Sequence, residues 1–217
     1  MIILVRHGEA THHTMHLTGG WTDSTLTELG RQQMRTAGIK LSKYFKGRLL
    51  TSPLRILTSD LKRAKESADI IAELTRFGGQ IETFSFLREK CNGQAANLTE
   101  EEAKKIYQPS ETFRELDHRN YPDGETRREF FERTVKGFWQ TVNMDNANVI
   151  VVTHKGVIQN IIFRWLGMNI DEVYKYNFSV EILPASVTIL DINKWKEHTI
   201  VTLNDTSHLK YVKFQQN

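Results

Sequence analysis

The sequence predicts a three-layer αβα sandwich around a mostly parallel β-sheet, the architecture in which strands alternate with helices along the chain. Three observations carry this. Two runs, Met1–Val5 and Val149–Val152, are wholly apolar, as strands buried on both faces must be. Helical stripes of apolar residues lie between and after them. No Pro/Gly-rich linker, low-complexity tract, charge block or internal repeat divides the 217 residues, so the chain reads as one domain over 1–217.

Met1–Val5 opens the sheet. Leu26, Leu29, Met34, Leu41, Tyr44 and Phe45 recur at roughly helical spacing and predict a helix over 26–45 that Gly47 stops. A strand follows around Ile56–Ser59, then a helix of about 15 residues with Asp60 as its N-cap. Thr83–Leu87 reads as a further strand. Thr99 and Glu102 stand at capping-box spacing for a short helix. Phe131, Val135, Phe138 and Val142 share a helical stripe, and with Phe130 and Trp139 they read as core, not as a cofactor box. After Val149–Val152 a helix turns Val157, Ile158, Ile161, Trp165 and Leu166 inward and ends at Gly167. Val187–Ile192 and Thr199–Leu203 are late strands, the second at an edge. The stretch 90–123 is the least periodic and contains Pro109 and Pro122. It is expected to cross over one end of the sheet, above the site.

Composition removes several classes of function. Lys+Arg is 29 against Asp+Glu 26, a net charge of +3 that is too small and scattered to argue for nucleic acid. It suits a small anionic substrate. The single cysteine, Cys91, leaves no internal disulfide and no Cys-built zinc site. No run approaches the roughly 18 apolar residues of a membrane helix, and Met1–Val5 lacks a basic segment or cleavage site. A cytoplasmic protein with no membrane partner is expected.

In open α/β sheets, ligands collect at the carboxyl ends of the strands. The residues at those ends form a polar set. Arg6-His7-Gly8-Glu9 follow the first strand, Arg63 lies on the first turn after Ile56–Ser59, Arg88-Glu89 follow Thr83–Leu87, and His154-Lys155-Gly156 follow the apolar run at 149–152. Such a set suits phosphoryl transfer. Arginine presents a planar fork to phosphate oxygens, and the reaction depends mostly on positioning and charge neutralisation. With no evident metal cage, Arg6, Arg63 and a protonated His154 would supply the positive charge. A neutral His7 can then be the nucleophile, its protonation disfavoured by the arginines. Glu89, with its pKa raised, is the candidate to protonate the leaving alkoxide and later accept a proton from water.

The residues also resemble a known family. Leu4-Val5-Arg6-His7-Gly8-Glu9 is similar to the opening signature of the histidine phosphatase superfamily, the phosphoglycerate mutase-like proteins. Gly20-Trp21-Thr22-Asp23, Leu26-Thr27-Glu28-Leu29-Gly30 with Gln33, Ser59-Asp60-Leu61-Lys62-Arg63-Ala64, Leu87-Arg88-Glu89 with Gly93, Pro122-Asp123-Gly124-Glu125-Thr126 with Arg133, and Val151-Val152-Thr153-His154 resemble its further motifs, in order. The resemblance implies a phosphoglycerate mutase-like fold and metal-independent hydrolysis of a small phosphorylated metabolite, with no cofactor. It implies His7 as the phosphorylated nucleophile, Glu89 as proton donor and acceptor, and Arg6, Arg63 and His154 as the phosphate pocket. Gly20 matches a glycine of the substrate loop. Ser52-Pro53-Leu54-Arg55 imitates the arginine motif, but the strand and alanine point to Arg63 and make Arg55 a decoy.

Several positions depart from the family pattern. His12-His13 replace a Trp-Asn pair, so His13 inherits a phosphate contact or the contact is lost. Gly19 stands where Thr, Ser or Cys is usual, and Ala95-Ala96-Asn97 replace Trp-Glu-Gly. Lys155 replaces a small residue, and either adds a cation at the site or points to solvent. Arg6, His13, Gly19, Gly20, Arg63, His154 and Lys155 are therefore the candidate substrate contacts. Three alternatives compete with hydrolysis. One is mutase-type transfer, disfavoured because the interval Glu89–His154 is short and Arg127-Arg128 follow the Pro122–Thr126 element instead of preceding it. A non-catalytic phospho-ligand module is disfavoured because His7 and Glu89 are present. A metal cluster of His7, His12, His13 and His16 lacks a completing ligand at a familiar spacing. Cys91 lacks a neighbouring base and reads as a passive thiol.

Overall fold

Side chains alternate across the first strand. Ile2 and Leu4 enter one apolar core, Ile3 and Val5 the other, and all four are buried. A strand covered on both faces needs a layer of helices on each side, and the chain supplies both.

The structure is a computed structural model that describes residues 1–50, 52–112, 115–144, 147–210 and 212. A six-stranded sheet runs through it: β1 (Ile2–Arg6), β2 (Arg55–Thr58), β3 (Glu82–Thr83), β4 (Val149–Thr153), β5 (Val187–Ile192) and β6 (His198–Asp205), in spatial order β3-β2-β4-β1-β5-β6. The strands β3, β2, β4 and β1 are mutually parallel, and β5 and β6 add antiparallel at one side, with β6 at the expected edge. One face carries α2 (Glu28–Phe45) and α3 (Lys62–Thr75), whose Met34, Leu41, Ala68 and Ile71 pack with Ile3, Val5, Ile56 and Val152. The other carries α5 (Arg127–Thr141) and α6 (Lys155–Trp165), where Phe138, Ile158, Ile161 and Trp165 meet Ile2, Leu4, Leu57 and Val151. Short helices α1 (Thr11–Thr14), α4 (Glu100–Ile106) and α7 (Ile170–Lys175) complete the described set. No helix among the described residues is long and apolar enough to cross a membrane.

Four local expectations change. Thr83–Leu87 is not one strand: β3 ends at Thr83, and Ser85–Leu87 coil into a 3₁₀ turn. Phe84 and Phe86 stack with centroids 4.9 Å apart and pack on the α5–α6 core, so these residues fill space beside the sheet without extending it. Asp60 does not cap α3, whose cap position is Leu61; its carboxylate is taken by the Arg88 fork. The helix expected from residue 26 starts at Glu28, because the Thr27 side chain accepts from Gly30 N and ends the extended chain there. Leu166 lies past the end of α6 and is exposed. The capping box of Thr99 and Glu102 forms at α4 as predicted.

The register of β1 on β4 positions the chemistry. Arg6 pairs with Thr153, so the next residue of each strand, His7 and His154, emerges at the same sheet edge. The stretch 90–123 packs against the loop following β1: Leu17 bridges Thr99, and Thr18 N donates to Leu98 O at 2.9 Å.

Candidate active site

His7 is held from its backbone outward. Its N–H donates to Thr153 O at 2.9 Å, and its carbonyl accepts from Ala185 N at 3.1 Å. The following turn tolerates no side chain: a Cβ on Gly8 would lie 2.5 Å from Gly30 O, and one on Gly30 would lie 2.0 Å from Glu9 O. These clashes explain the spacing of Thr27, Gly30 and Gln33. Thr27 caps α2 and bonds Glu9 Oε1, Gly30 allows the close approach, and Gln33 Oε1 accepts from Glu9 N at 2.8 Å.

The His7 ring is 3% exposed. Nδ1 lies 2.7 Å from Gly8 O, which can only accept, so the ring proton is assigned to Nδ1. Nε2 then carries the lone pair, with Arg63 Nε–H donating to it at 3.3 Å. Burial first, then Arg63, His154 and Arg6, hold the His7 pKa well below its ordinary value. The imidazole is neutral at pH 7, the state a nucleophile requires.

Arg63 is 1% exposed and largely committed to the protein. Besides His7, its fork donates to Thr22 O and Ser24 Oγ from Nη1 and to Gly20 O from Nη2. One N–H of the five remains for an anionic oxygen. Burial draws its pKa down to about 10, so it stays charged at neutral pH. Arg63 thus fixes the loop over residues 20–24 and places a cation beside His7. Arg6 donates from Nη1 to Ile182 O at 2.7 Å, and its Nε is buried with no partner among the described residues.

His154 corrects one expectation. Burial, reinforced by Arg63 and Arg6, depresses its pKa well below the ordinary value, so it is neutral instead of protonated. Its Nε2 lies 2.8 Å from Ser59 Oγ, which also accepts from Leu61 N at 3.4 Å. Assigning Ser59 as donor to Nε2 leaves the imidazole proton on Nδ1. That buried Nδ1 has no partner among the described residues. The rings of His7 and His154 meet edge to face at 5.1 Å.

His13 stacks on His7 at 5.9 Å. Its Nδ1 accepts from Ala10 N at 3.1 Å, which places its proton on Nε2, and Nε2 lies 3.4 Å from Arg6 Nη2. Two donors converge there, an arrangement that an anionic oxygen between them satisfies. Burial, with Arg6 and Arg63 behind it, lowers His13 to about 4. His12 is buried, 6% exposed, with Nδ1 2.9 Å from Ser24 Oγ. Burial and the neighbouring His13 lower it to about 3. His16 is exposed, and among the described residues no group of three or more His, Cys, Asp or Glu side chains is placed to hold a metal.

Glu89 is oriented by main chain. Oε2 accepts from Gly156 N at 3.0 Å, at the start of α6, and Oε1 from Lys90 N at 2.9 Å. A Cβ on Gly156 would lie 2.5 Å from Oε1, so this close approach requires glycine. Its carbonyl accepts from Trp21 Nε1 at 2.7 Å, and Arg133, paired with Glu125, donates to the carbonyls of Phe86, Arg88 and Glu89. Arg88 itself is spent on Asp60 and lies over the Trp21 ring at 4.6 Å.

The remaining sites are peripheral to this group. Gly20 (φ +70°) lies against Lys90 O, where a Cβ would come within 2.7 Å. The Gly19 carbonyl is bonded by Thr22 Oγ1, and nothing stands within 4 Å of a Cβ built there. Lys155 pairs with Glu181 at 2.9 Å, so its charge is neutralised at the pocket edge. Asn97, in the segment that departs from the family, fastens the same loop by donating its N–H to Thr22 Oγ1 and accepting at Oδ1 from Asp23 N. Arg55 sits at the opposite end of β2, paired with Glu82. Ser59, Trp21, Glu125 and Arg133 lay within quoted motifs, but only the fold shows what they hold.

Comparison with known proteins identifies the family. Residues 2–206 match the model of the histidine phosphatase superfamily, branch 1. A metal-independent phosphoserine phosphatase of Arabidopsis thaliana is 30% identical over 99% of this chain and 85% of its own length. A 2,3-bisphosphoglycerate-dependent phosphoglycerate mutase of Lactobacillus johnsonii is 26% identical over 80% of this chain and 86% of its own. Among solved structures, a mycobacterial glucosyl-3-phosphoglycerate phosphatase superposes with a TM-score of 0.71 at 23% identity, covering 94% of this chain and 98% of that one, which shows a shared fold. By fold, by sequence and by the ordered motifs that build this pocket, the chain belongs to the histidine phosphatase superfamily, branch 1.

Proposed function

We propose that this enzyme hydrolyses a small phosphomonoester through a phosphohistidine on His7, without a metal. The observation that carries the reading is the tautomer of His7: Gly8 O fixes the proton on Nδ1 and leaves the Nε2 lone pair beside Arg63. In the first step Nε2 attacks phosphorus and the P–O ester bond breaks. The Glu89 carboxyl proton passes to the departing alkoxide, giving the free alcohol. Then Glu89, as carboxylate, takes a proton from water, the water oxygen attacks phosphorus, and the P–N pair returns to Nε2 as phosphate leaves.

Charge in the transition state meets groups already in place. Arg6 Nε and His154 Nδ1 are buried donors without partners among the described residues, and His13 Nε2 converges with Arg6 Nη2. Arg63 contributes its free N–H and its charge, while Gly19 and Gly20 shape the loop and Lys155 the pocket edge. Transfer to water is favoured over retention of an organic acceptor by the covering segment. Among its described residues Lys104 and Lys105 are exposed on α4 and Arg119 is tied to Glu129, which leaves Lys90 as the cation of this stretch that lines the cavity beside Glu89.

Rapid quenching of turnover with a phosphorus-labelled aryl phosphate tests the reading. Acid-labile, alkali-stable label on His7 is the expected result, with turnover lost in His7→Ala while its circular dichroism is kept. Label on another side chain, or turnover surviving in His7→Ala, overturns it. Incubation with phosphoglycerate, following isomer against free phosphate, separates mutase from hydrolase.

A further inference from the structure

Glu89 also lines a cavity of about 440 Å³. Phe130, Phe163, Tyr174 and Phe178 give it apolar walls, and Lys90 and Arg127 line it with charge. These two cations differ from their neighbours. Lys155, at the rim, is paired with Glu181. Arg128, adjacent to Arg127, is held between Asp117 and Asp171. Neither Lys90 nor Arg127 has an ion-pair partner among the described residues. The carboxylates nearest Lys90 do not supply one: Glu125 is bound by Arg133 and Cys91 N, and Glu89 by Gly156 N and Lys90's own N–H.

We infer that this cavity receives the leaving alcohol, and that the alcohol joins an apolar or aromatic body to a second anionic group held by Lys90 and Arg127. The inference rests on the proposed hydrolysis at His7 and names the substrate class of that site. Three observations support it. The cavity shares Glu89 and Gly156 with the reacting centre, so an alkoxide protonated by Glu89 has its substituent at the cavity entrance. Lys90 and Arg127 are close enough to repel, and burial together with that repulsion lowers the Lys90 pKa, so a bound anion relieves both charges. Tyr174 lies under Arg127 at 5.5 Å, which orients the guanidinium above an aromatic surface.

The test compares 2-naphthyl phosphate with a set of naphthyl phosphates carrying one carboxylate at different ring positions. At least one carboxylated ester is expected to exceed the parent about tenfold in kcat/KM, mainly through KM, as a charge-assisted contact implies. That ratio falls toward one in Arg127→Gln and in Lys90→Gln, is largely kept in Arg127→Lys, and shrinks with added salt. Thermal melts establish that each variant is folded. A wild-type ratio near one for every ester, or a ratio that survives the double replacement of Lys90 and Arg127 by Gln, overturns the inference. In both cases turnover of the parent ester that depends on His7 leaves the hydrolase reading standing, whereas turnover independent of His7 removes that reading instead.

Discussion

Glu89 separates two regions built on different principles. Toward the sheet edge, His7, Arg63 and His154 are buried, and their rings and forks are fixed by Gly8 O, Thr22 O, Gly20 O and Ser59 before any substrate arrives. Away from it, the cavity mixes aromatic walls with Lys90 and Arg127, and Phe178 at its rim is 50% exposed. The first region has donors aimed where charge develops, so it costs little reorganisation. The second has uncompensated charge and room to adapt, so it selects among alcohols. Chemistry and specificity are divided at one carboxylate.

The sharpest way to break this division is Glu89→Gln. The amide keeps an acceptor for Gly156 N but cannot give or take the proton. Loss on alkyl phosphates is expected at about 10²- to 10⁴-fold in kcat, with a much smaller loss on aryl phosphates, whose leaving groups need less protonation. Steady-state kinetics on matched alkyl and aryl esters checks it. Equal losses on both would mean that Glu89 only positions the loop.

The same division decides what was legible in the sequence. The proposed phosphate pocket draws on residues that follow apolar strands, because β1 and β4 lie in register and deliver His7 and His154 together. The long-range pairings were not legible. Asp60 has the chemistry of an N-cap, but Arg88 arrives from the next loop and takes its carboxylate. Phe84 and Phe86 read as strand residues, yet they stack and fill the α5–α6 side of the core. His154 looks like a ready cation at a strand end, and only its burial between Arg63 and Arg6 shows it neutral. Arg127 and Arg128 are adjacent in sequence, and only the arrival of Asp117 and Asp171 at one of them makes the other available. The identity of a catalytic group is local, whereas its charge state depends on what the fold packs around it.

Buried imidazoles also set the pH range in which the first region survives. In the unfolded chain each histidine titrates near its ordinary value of about 6.5, while in the fold His12 lies at about 3 and His13 at about 4. The unfolded state therefore binds more protons between those limits. Stability is complete above about pH 6.5 and falls as the pH drops through that window, with a slope of up to about 1.4 kcal/mol per pH unit for each buried neutral imidazole. Chemical denaturation between pH 7.5 and 5 checks this. Replacing His12 by Asn, which can still bond Ser24 Oγ, is expected to reduce the slope. A flat profile, or an unchanged slope in His12→Asn, would mean that solvent or local relaxation accommodates the charge.

The smallest effect belongs to the opposite end of the same sheet. Arg55 and Arg63 flank β2, and the sequence around Arg55 imitates the motif that contains Arg63. Arg63 is 1% exposed and meets His7, whereas Arg55 is 38% exposed and makes a two-point pair with Glu82 plus a bond to Thr141 O at 3.0 Å. A half-exposed pair gains little over hydration, so Arg55→Ala is expected to cost about 0.2–1 kcal/mol of unfolding free energy. Its kcat/KM on an aryl phosphate is expected to match the unaltered enzyme, because among the described residues Arg55 contacts Glu82 and Thr141 and not the histidines. A loss of catalysis without loss of stability would show the amino end of β2 to be coupled to the phosphate pocket through the strand itself. The polar groups at the carboxyl edge alone would then no longer account for how His7 is held.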